Sequence, residues 1–327
     1  MSDLISYNPK YVPRPFGLQN LGATCFFNSC MQALLSCSAL NQEIKRISGL
    51  LSPATTNPFI SAMCSLVCGG LSEGASESAS TSGLSESASK MLWPALVKTI
   101  ATGAEKQIAE FVNGNQQCAR EAFSMFLHAW EKWPSITRLF THRYNNTLYC
   151  PECKSQATTT TIEDTEFAVQ PNYRNAQDVE FEDLDPSMGK TRTLNDYLSK
   201  QYGFVDNGHV CAKCGVKTKK FNVLTLEMVP EIVVVVFKKY ASTRRGELQG
   251  LFTNSPFTEE LTFPGSTGML KYQLVAQIEH SGGIDSGHYW CIAKRGDGKV
   301  YTLNDTSVSS GTFASTPITY MAFYHCS

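Results

Sequence analysis

The chain has 327 residues, 42% of them hydrophobic, and sets 28 Lys and Arg against 29 Asp and Glu; this is ample for a buried core in one large domain or two ordinary ones. Balanced charge gives no field to hold nucleic acid or an anionic membrane surface, and no window approaches a membrane-spanning run, Val233 to Phe237 being far too short. The opening MSDLISYNPK lacks an apolar core of signal-peptide length, so the twelve cysteines are expected to be reduced thiols and metal ligands in cytosol or nucleus, not a disulfide framework.

Residues 1–16 carry Pro9, Pro13 and Pro15 and read as an extended lead-in strapped along the surface. Next comes GLQNLGATCFFNSCMQALL, from Gly17 to Leu35. Phe26, Phe27, Cys30, Met31, Leu34 and Leu35 recur at helical spacing, which starts a helix at about Thr24 or Cys25 with Thr24 as N-cap. Cys25 therefore sits in the first helical turn, near unpaired N–H groups and the positive end of the dipole, where thiolate is favoured over thiol. Gly17 and Gly22 let the preceding backbone turn tightly, and the Asn20 amide lies within reach as a donor to a developing oxyanion. The plain alternative is a buried structural cysteine.

The stretch Gly69 to Lys90 repeats GLSE and SESAS with almost nothing to bury and reads as a flexible loop. Leu92, Leu96, Val97 and Ile100 then space a short helix beginning near Pro94. Gln116 to Trp133 reads as a helix with an apolar stripe of Ala122, Phe123, Phe126, Leu127 and Trp130, stopped by Pro134.

Two CxxC pairs follow, Cys150/Cys153 and Cys211/Cys214, separated by 57 residues. Two residues between cysteines aim both sulfurs at one ion, and two such turns make a closed tetrahedral zinc site with four cysteine ligands. The gap is too long for a compact ribbon, so the knuckles belong at the tips of neighbouring hairpins. Thr193 to Tyr202 reads as a helix between them, with Leu194, Tyr197, Leu198 and Tyr202 buried and Thr193 and Asp196 forming a capping box. His209 is a weaker substitute ligand. Asp178 to Asp185 is acidic, as a solvated face or a surface for a basic partner.

From Phe221 the pattern has period two and then becomes a continuous apolar run, Ile232 to Phe237, the mark of a strand buried on both faces. Further strands are expected at Tyr272–Glu279, His288–Lys294, Lys299–Leu303 and Ile318–Tyr324, in a mostly antiparallel sheet, with Arg245–Gly268 as loops over a cleft. Gly287-His-Tyr289 opens one strand and Asn304-Asp305 closes the next, across a turn at Gly296 to Gly298. An antiparallel pair brings those ends together, so His288 meets Asn304 or Asp305. An imidazole held by an amide or carboxylate is what a cysteine nucleophile needs.

The pattern GLxNxGxTCxxN ahead of an apolar helix, together with Tyr272-x-Leu-x-Ala-x-x-x-His280, Gly287-His-Tyr289 and Leu303-Asn-Asp-x-Ser-Val308, resembles the cysteine and histidine boxes of the ubiquitin-specific proteases, a papain-like family of deubiquitinating enzymes. The resemblance runs from about residue 16 to the C-terminus. It implies an α+β fold of thumb (about 16–140, with the Ser-rich insert 69–90), zinc-tipped β fingers (about 141–230) and antiparallel β palm (about 231–327), behind a lead-in of residues 1–15. It also implies that Cys25 is the nucleophile, His288 the base, Asn304 its orienting residue, Asp305 a polar neighbour, Asn20 an oxyanion donor and His280 a group near substrate. The implied partner is ubiquitin on conjugated proteins, its globular part held by the fingers. One box departs: where the family has Gln-Gln-Asp-Ala-His-Glu-Phe, this chain has Gln116-Gln-Cys-Ala-Arg-Glu-Ala122, so Cys118 stands at the carboxylate that grips ubiquitin's basic tail. A neutral thiol cannot pair with an arginine in that way, which makes another ubiquitin-like modifier the alternative substrate. A non-catalytic ubiquitin-binding module is opposed by the intact Cys25, Asn20, His288 and Asn304. A zinc-dependent nucleic-acid binder is opposed by the charge balance.

Overall fold

A computed structural model describes residues 4–50, 57–70, 81–101, 117–150, 152–169, 194–205, 210–217, 220–238, 240–242, 248–250, 258–264, 268–283 and 286–327. The Asp178–Asp185 run, His209 and Thr193 lie outside them. No helix is long and apolar enough to cross a membrane among these residues.

A helical lobe comes first. Helix α1 (Cys25–Leu35) is buried at every position, so its polar side chains bond inward: Asn28 Nδ2 donates to the Leu18 and Gln19 carbonyls, and Gln32 Nε2 to Phe16 O at 2.7 Å. Helix α2 (Ser38–Ser48) packs on α1, and α3 (Pro58–Gly70) packs on α2, burying Leu40, Ile44, Ile47, Phe59, Ile60 and Met63; neither helix was expected from the sequence. Helix α4 (Thr81–Ile100) corrects two expectations. The second half of the Ser-rich stretch is helical, and Pro94 lies inside the helix instead of starting it. Ala88, Leu92, Leu96 and Ile100, one every fourth residue, are all buried, so the stripe extends back into a segment that composition alone assigns to solvent. Ser89 Oγ also accepts from the Gln19 backbone N–H at 2.5 Å.

Helix α5 (Ala119–Ala129) is shorter than the expected Gln116–Trp133 span, and Pro134 opens a further turn, α6 (Pro134–Thr137), instead of only ending the previous one. Pro at a first helical position loses no hydrogen bond. Phe59 of α3, Phe126 of α5 and Trp130 stack on one another.

The strands β1 (His142–Tyr149), β2 (Gln156–Asp164), β4 (Lys200–Val205) and β5 (Lys220–Met228) make a sheet in the order β2-β1-β5-β4, preceded at its fourth strand by the short helix α7 (Leu194–Ser199). That helix ends before Tyr202, which lies in β4 and pairs with Val223. The second sheet takes β3 (Phe167–Val169), β6 (Ile232–Phe237), β10 (Met269–Gly282), β11 (Gly287–Lys294), β12 (Val300–Asn304), β13 (Ser307–Ser310) and β14 (Thr319–Cys326) in the order β13-β12-β11-β10-β14-β6-β3. All six residues of β6 are buried, as its continuous apolar run requires. A small pair, β7 (Tyr240–Ser242) with β8 (Leu248–Gly250), stands apart. Strand β9 (Glu260–Pro264) pairs with β10 inside the stretch expected to be loop, because Leu261 and Phe263 alternate inward. Pairing is antiparallel except for β3 with β6. The lead-in lies across both lobes: the Tyr7 N–H bonds Cys326 O, and Val12 and Phe16 are buried.

Candidate active site

Cys25 is the first residue of α1 and only 4% exposed. Thr24 is the N-cap residue, yet its side chain makes no capping bond; its hydroxyl accepts from the Leu21 N–H at 2.9 Å and reaches Asn20 Oδ1 at 3.3 Å. That amide oxygen also accepts from the backbone N–H of Gly22 and of Thr24. Gly22 (φ 95°) and Ala23 (φ 51°) pass through left-handed backbone there, a conformation Asn20 holds from inside the turn. The Asn20 Nδ2 then donates to Asp305 Oδ2 at 3.0 Å. One of its two amide hydrogens is thus committed and the other remains for an oxyanion. Gly17 is needed for a different reason: a Cβ there would lie 2.5 Å from Thr306 O.

The helix N-terminus alone favoured thiolate, but the environment pushes the Cys25 thiol up. Burial is the largest cause and the Asp305 carboxylate adds to it, while backbone N–H groups of Tyr289, Phe26 and Cys25 itself pull the other way. Desolvation outweighs a few oriented dipoles, so the resting residue is a thiol that needs a base. The Tyr289 contact also places Cys25 beside the residue that follows His288.

His288 Nε2 lies 2.6 Å from Asn304 Oδ1. An amide oxygen only accepts, so Nε2 carries the proton and Nδ1 is the free acceptor. Strand parity explains why the partner is Asn304 and not Asp305. Cys291 pairs with Leu303, and one step along the ladder Trp290 stands opposite Asn304; His288, two residues before Trp290, shares that face. Asp305 faces the other way, toward α1, where its carboxylate accepts from Asn28 Nδ2 at 2.8 Å as well as from Asn20. Its φ of 49° belongs to the two-residue turn Asp305-Thr306 between Asn304 and Ser307, which pair. Neighbouring residues of one turn therefore hold the two halves of the site. Asn28 was not among the expected site residues; the signal for it is a polar amide on a helix that is buried at every position.

His280 pairs across the ladder with Tyr289 and stacks on its ring at 4.2 Å. Burial and the nearby His288 lower its pKa. A Cβ at Gly287 would lie 2.4 Å from His280 Nε2, so that glycine makes room for the second imidazole.

At the far end of the first sheet, Cys150, Cys153, Cys211 and Cys214 bring their sulfurs within 4.8 Å of one another. The β1–β2 hairpin carries the first knuckle and the β4–β5 connection the second, side by side because Tyr149 pairs with Phe221. Both knuckles fold alike: the Lys154 N–H bonds Cys150 O, and the Gly215 N–H bonds Cys211 O, with Lys154 and Gly215 both left-handed (φ 56° and 70°). Cys150 and Cys214 sulfurs are 3.8 Å apart, and those of Cys153 and Cys211 3.7 Å. Four sulfurs about 2.3 Å from one ion in a tetrahedron would stand about 3.8 Å apart, so the cluster fits a metal ion.

Cys118 caps α5. Its sulfur accepts from the backbone three residues on while the Glu121 carboxylate accepts from its N–H, and Tyr320 Oη lies 2.8 Å from the sulfur. Burial pushes its thiol up. Arg120 pairs with the nearly buried Glu166.

The family model described as "Ubiquitin carboxyl-terminal hydrolase" matches residues 16–324. The chain belongs to the ubiquitin-specific protease family. Similar members include ubiquitin carboxyl-terminal hydrolase 26 of Arabidopsis thaliana, 25% identical over 84% of this chain and 24% of its own length. The 17-like protein D of Mus musculus is 23% identical over 90% of this chain and 51% of its own, and the 17-like protein A is 30% identical over 32% of this chain and 20% of its own. The chain thus spans about half or less of these relatives. Among solved structures, the SAGA Ubp8/Sgf11/Sus1/Sgf73 DUB module bound to ubiquitin aldehyde is similar in fold, with a TM-score of 0.74 at 17% identity, over 99% of this chain and 72% of that one. This protease domain therefore has the papain-like α+β architecture of its family, with β fingers tipped by the four-cysteine cluster.

Proposed function

We propose that this chain is a cysteine-type deubiquitinase that hydrolyses the bond after the C-terminal glycine of ubiquitin in ubiquitin–protein conjugates. The observation that carries the reading is the convergence of Cys25, at the start of α1 beside the Tyr289 N–H, with a His288 whose Nε2 is held by Asn304. His288 Nδ1 takes the thiol proton as sulfur attacks the glycine carbonyl. The oxyanion meets backbone N–H groups and the remaining Asn20 N–H. The imidazolium protonates the leaving amine, and water then attacks the thioester with His288 again as base, which regenerates the thiol.

The family name supports ubiquitin as the modifier, as does the ubiquitin aldehyde bound to the similar Ubp8 module. Cys118, in place of an acid, supports a ubiquitin-like modifier with a different tail as the second reading. Four thiolates without an open position suit a structural zinc ion, held by Cys150, Cys153, Cys211 and Cys214. Reduced thiols suit cytosol or nucleus. Residues 16–140, 141–230 and 231–327 would be thumb, fingers and palm.

The test is incubation with ubiquitin and a panel of ubiquitin-like proteins bearing C-terminal thiol-reactive warheads. Covalent labelling by ubiquitin at Cys25 is expected. Labelling by another modifier alone would move the assignment to that modifier, and labelling by none would remove the catalytic reading.

A further inference from the structure

Arg295 follows β11 directly and is 0% exposed, yet among the described residues no carboxylate pairs with it. A buried guanidinium without a counter-ion is costly, so what it touches matters. The hydrogen bonds of its guanidinium go to the last turn and C-cap of α1. Nη1 donates to Gln32 O at 3.2 Å and to Ser36 Oγ at 2.7 Å, and Nη2 donates to Gln32 Oε1. The Ser36 N–H turns to Ala33 O and Leu34 O, so the Gln32 carbonyl at this helix end accepts from side chains instead, from Ser36 Oγ at 3.3 Å and from Arg295. The negative end of α1 thus meets the Arg295 charge directly, with the Asp297 carboxylate acting on it from beyond ion-pair distance.

The placement of the two ends is informative. Strand β11 carries His288 as its second residue and leads into Arg295, while α1 begins with Cys25 and ends at Leu35. Cys25 meets the Tyr289 backbone at one end, and Arg295 meets Gln32 and Ser36 at the other. Helix and strand thus run alongside each other and are pinned at both ends, the second pin lying far from the chemistry. Asp305, in the turn after β12, holds Asn28 near the N-terminus of α1, so a base before β12 and an acid after it complement both poles of the helix.

We propose that Arg295 is a positioning residue for the hydrolytic reaction: it sets where α1 stands along β11, and through that the approach of the Cys25 sulfur to His288. The inference rests on the deubiquitinase reading for its consequence in turnover but not for the geometry. A displacement of the order of an ångström at a reacting pair costs up to about a hundredfold in rate, and the helix transmits such a shift undiminished because it is rigid and fully buried.

The experiment compares wild type, Arg295→Lys, Arg295→Met and the milder Ser36→Ala, each checked for folding by circular dichroism and thermal melting. Two readouts are taken: kcat and KM on a ubiquitin C-terminal amide, and the rate of Cys25 alkylation by iodoacetamide, followed at that peptide by mass spectrometry. Expected are a tenfold or greater fall in kcat for Arg295→Met with KM little changed, partial recovery in Arg295→Lys, and a two- to fivefold fall for Ser36→Ala. Alkylation of Cys25 should slow in step, and in a His288→Ala background Arg295→Met should slow it no further, because the effect passes through that pair. Folded variants that keep kcat and alkylate Cys25 at the wild-type rate would overturn the proposal, as would rate losses that simply add in the double variant. Should Arg295→Met fail to fold, the Ser36→Ala and Arg295→Lys results decide. Wild type that alkylates in a His288-dependent way but leaves the ubiquitin amide intact would sink the choice of modifier, while the alkylation comparison still judges Arg295.

Discussion

At the scale of single residues, Asn304 and Asp305 are neighbours with separable duties. Asn304 holds the His288 ring, and Asp305 holds Asn28 and the turn through Asn20. Asn304→Ala should therefore cut kcat by about ten- to a hundredfold through loss of ring orientation while leaving the melting temperature within a degree or two. Asp305→Ala removes a charged acceptor from two amides, the partly buried bond to Asn28 contributing about 1.5–3 kcal/mol and the exposed bond to Asn20 less, and it should lower the melting temperature as well as the rate. Parallel kinetics and melting on the two variants check this; a purely kinetic effect of Asp305→Ala would contradict the division. Cys25→Ser or His288→Ala should abolish turnover with the fold intact, and full activity in Cys25→Ser would refute the mechanism.

At the scale of elements, the four-cysteine tip and the cap of α5 each carry an expectation. Among the described residues, Val210 and Val216 beside the second knuckle are exposed, so the ion is expected to hold the tip together. One zinc per chain should be found by elemental analysis, and a strong chelator should raise hydrogen exchange in β1, β2, β4 and β5 while α1 and β11 stay protected. Protein with no stoichiometric metal, or a chelator without effect, would contradict this. Cys118→Asp puts a stronger N-cap on α5 and should stabilise it by about 1 kcal/mol, with Tyr320 Oη and the nearby Arg120 able to satisfy the new carboxylate. If the loss of an acid is what sets modifier choice, the same variant should raise kcat/KM for ubiquitin about tenfold relative to other modifiers. An unchanged ratio would mean that Cys118 has no part in specificity.

At the scale of the whole molecule, two buried histidines couple stability to pH. His325, in β14, accepts through Nε2 from the Ala39 N–H and lies near the Ser38 hydroxyl, at the positive end of α2; burial draws its pKa down to about 4. His142, at the start of β1, stacks on Phe167 at 3.7 Å, and burial lowers it to about 4 as well. Unfolded, both bind a proton near pH 6.5, so between about pH 6.5 and 4 the unfolded chain holds more protons than the folded one. Stability is then complete above pH 6.5 and falls as pH drops through that window, by up to about 3 kcal/mol for each histidine. Urea midpoints measured from pH 7.5 to 5 should decline, and a flat profile would contradict the assignment.

Much of this protein was legible in its residues, where local chemistry is strong. The thiol at a helix start, the paired CxxC turns, the buried run Ile232–Phe237 and the hairpin that joins His288 to Asn304 each follow from spacing, turn residues or strand parity. The extent of α4 and the existence of α2, α3 and β9 did not, because their burial depends on surfaces supplied by distant segments and not on their own composition. The same reason governs the site. Residue type and spacing were enough to say which groups could react. Only tertiary packing decided that burial and Asp305 would keep Cys25 a thiol, that the Asn20 amide would be shared with Asp305, and that Arg295 would lie against the end of α1, because a pKa and a hydrogen-bond partner are properties of what surrounds a group and not of the group's neighbours in the chain.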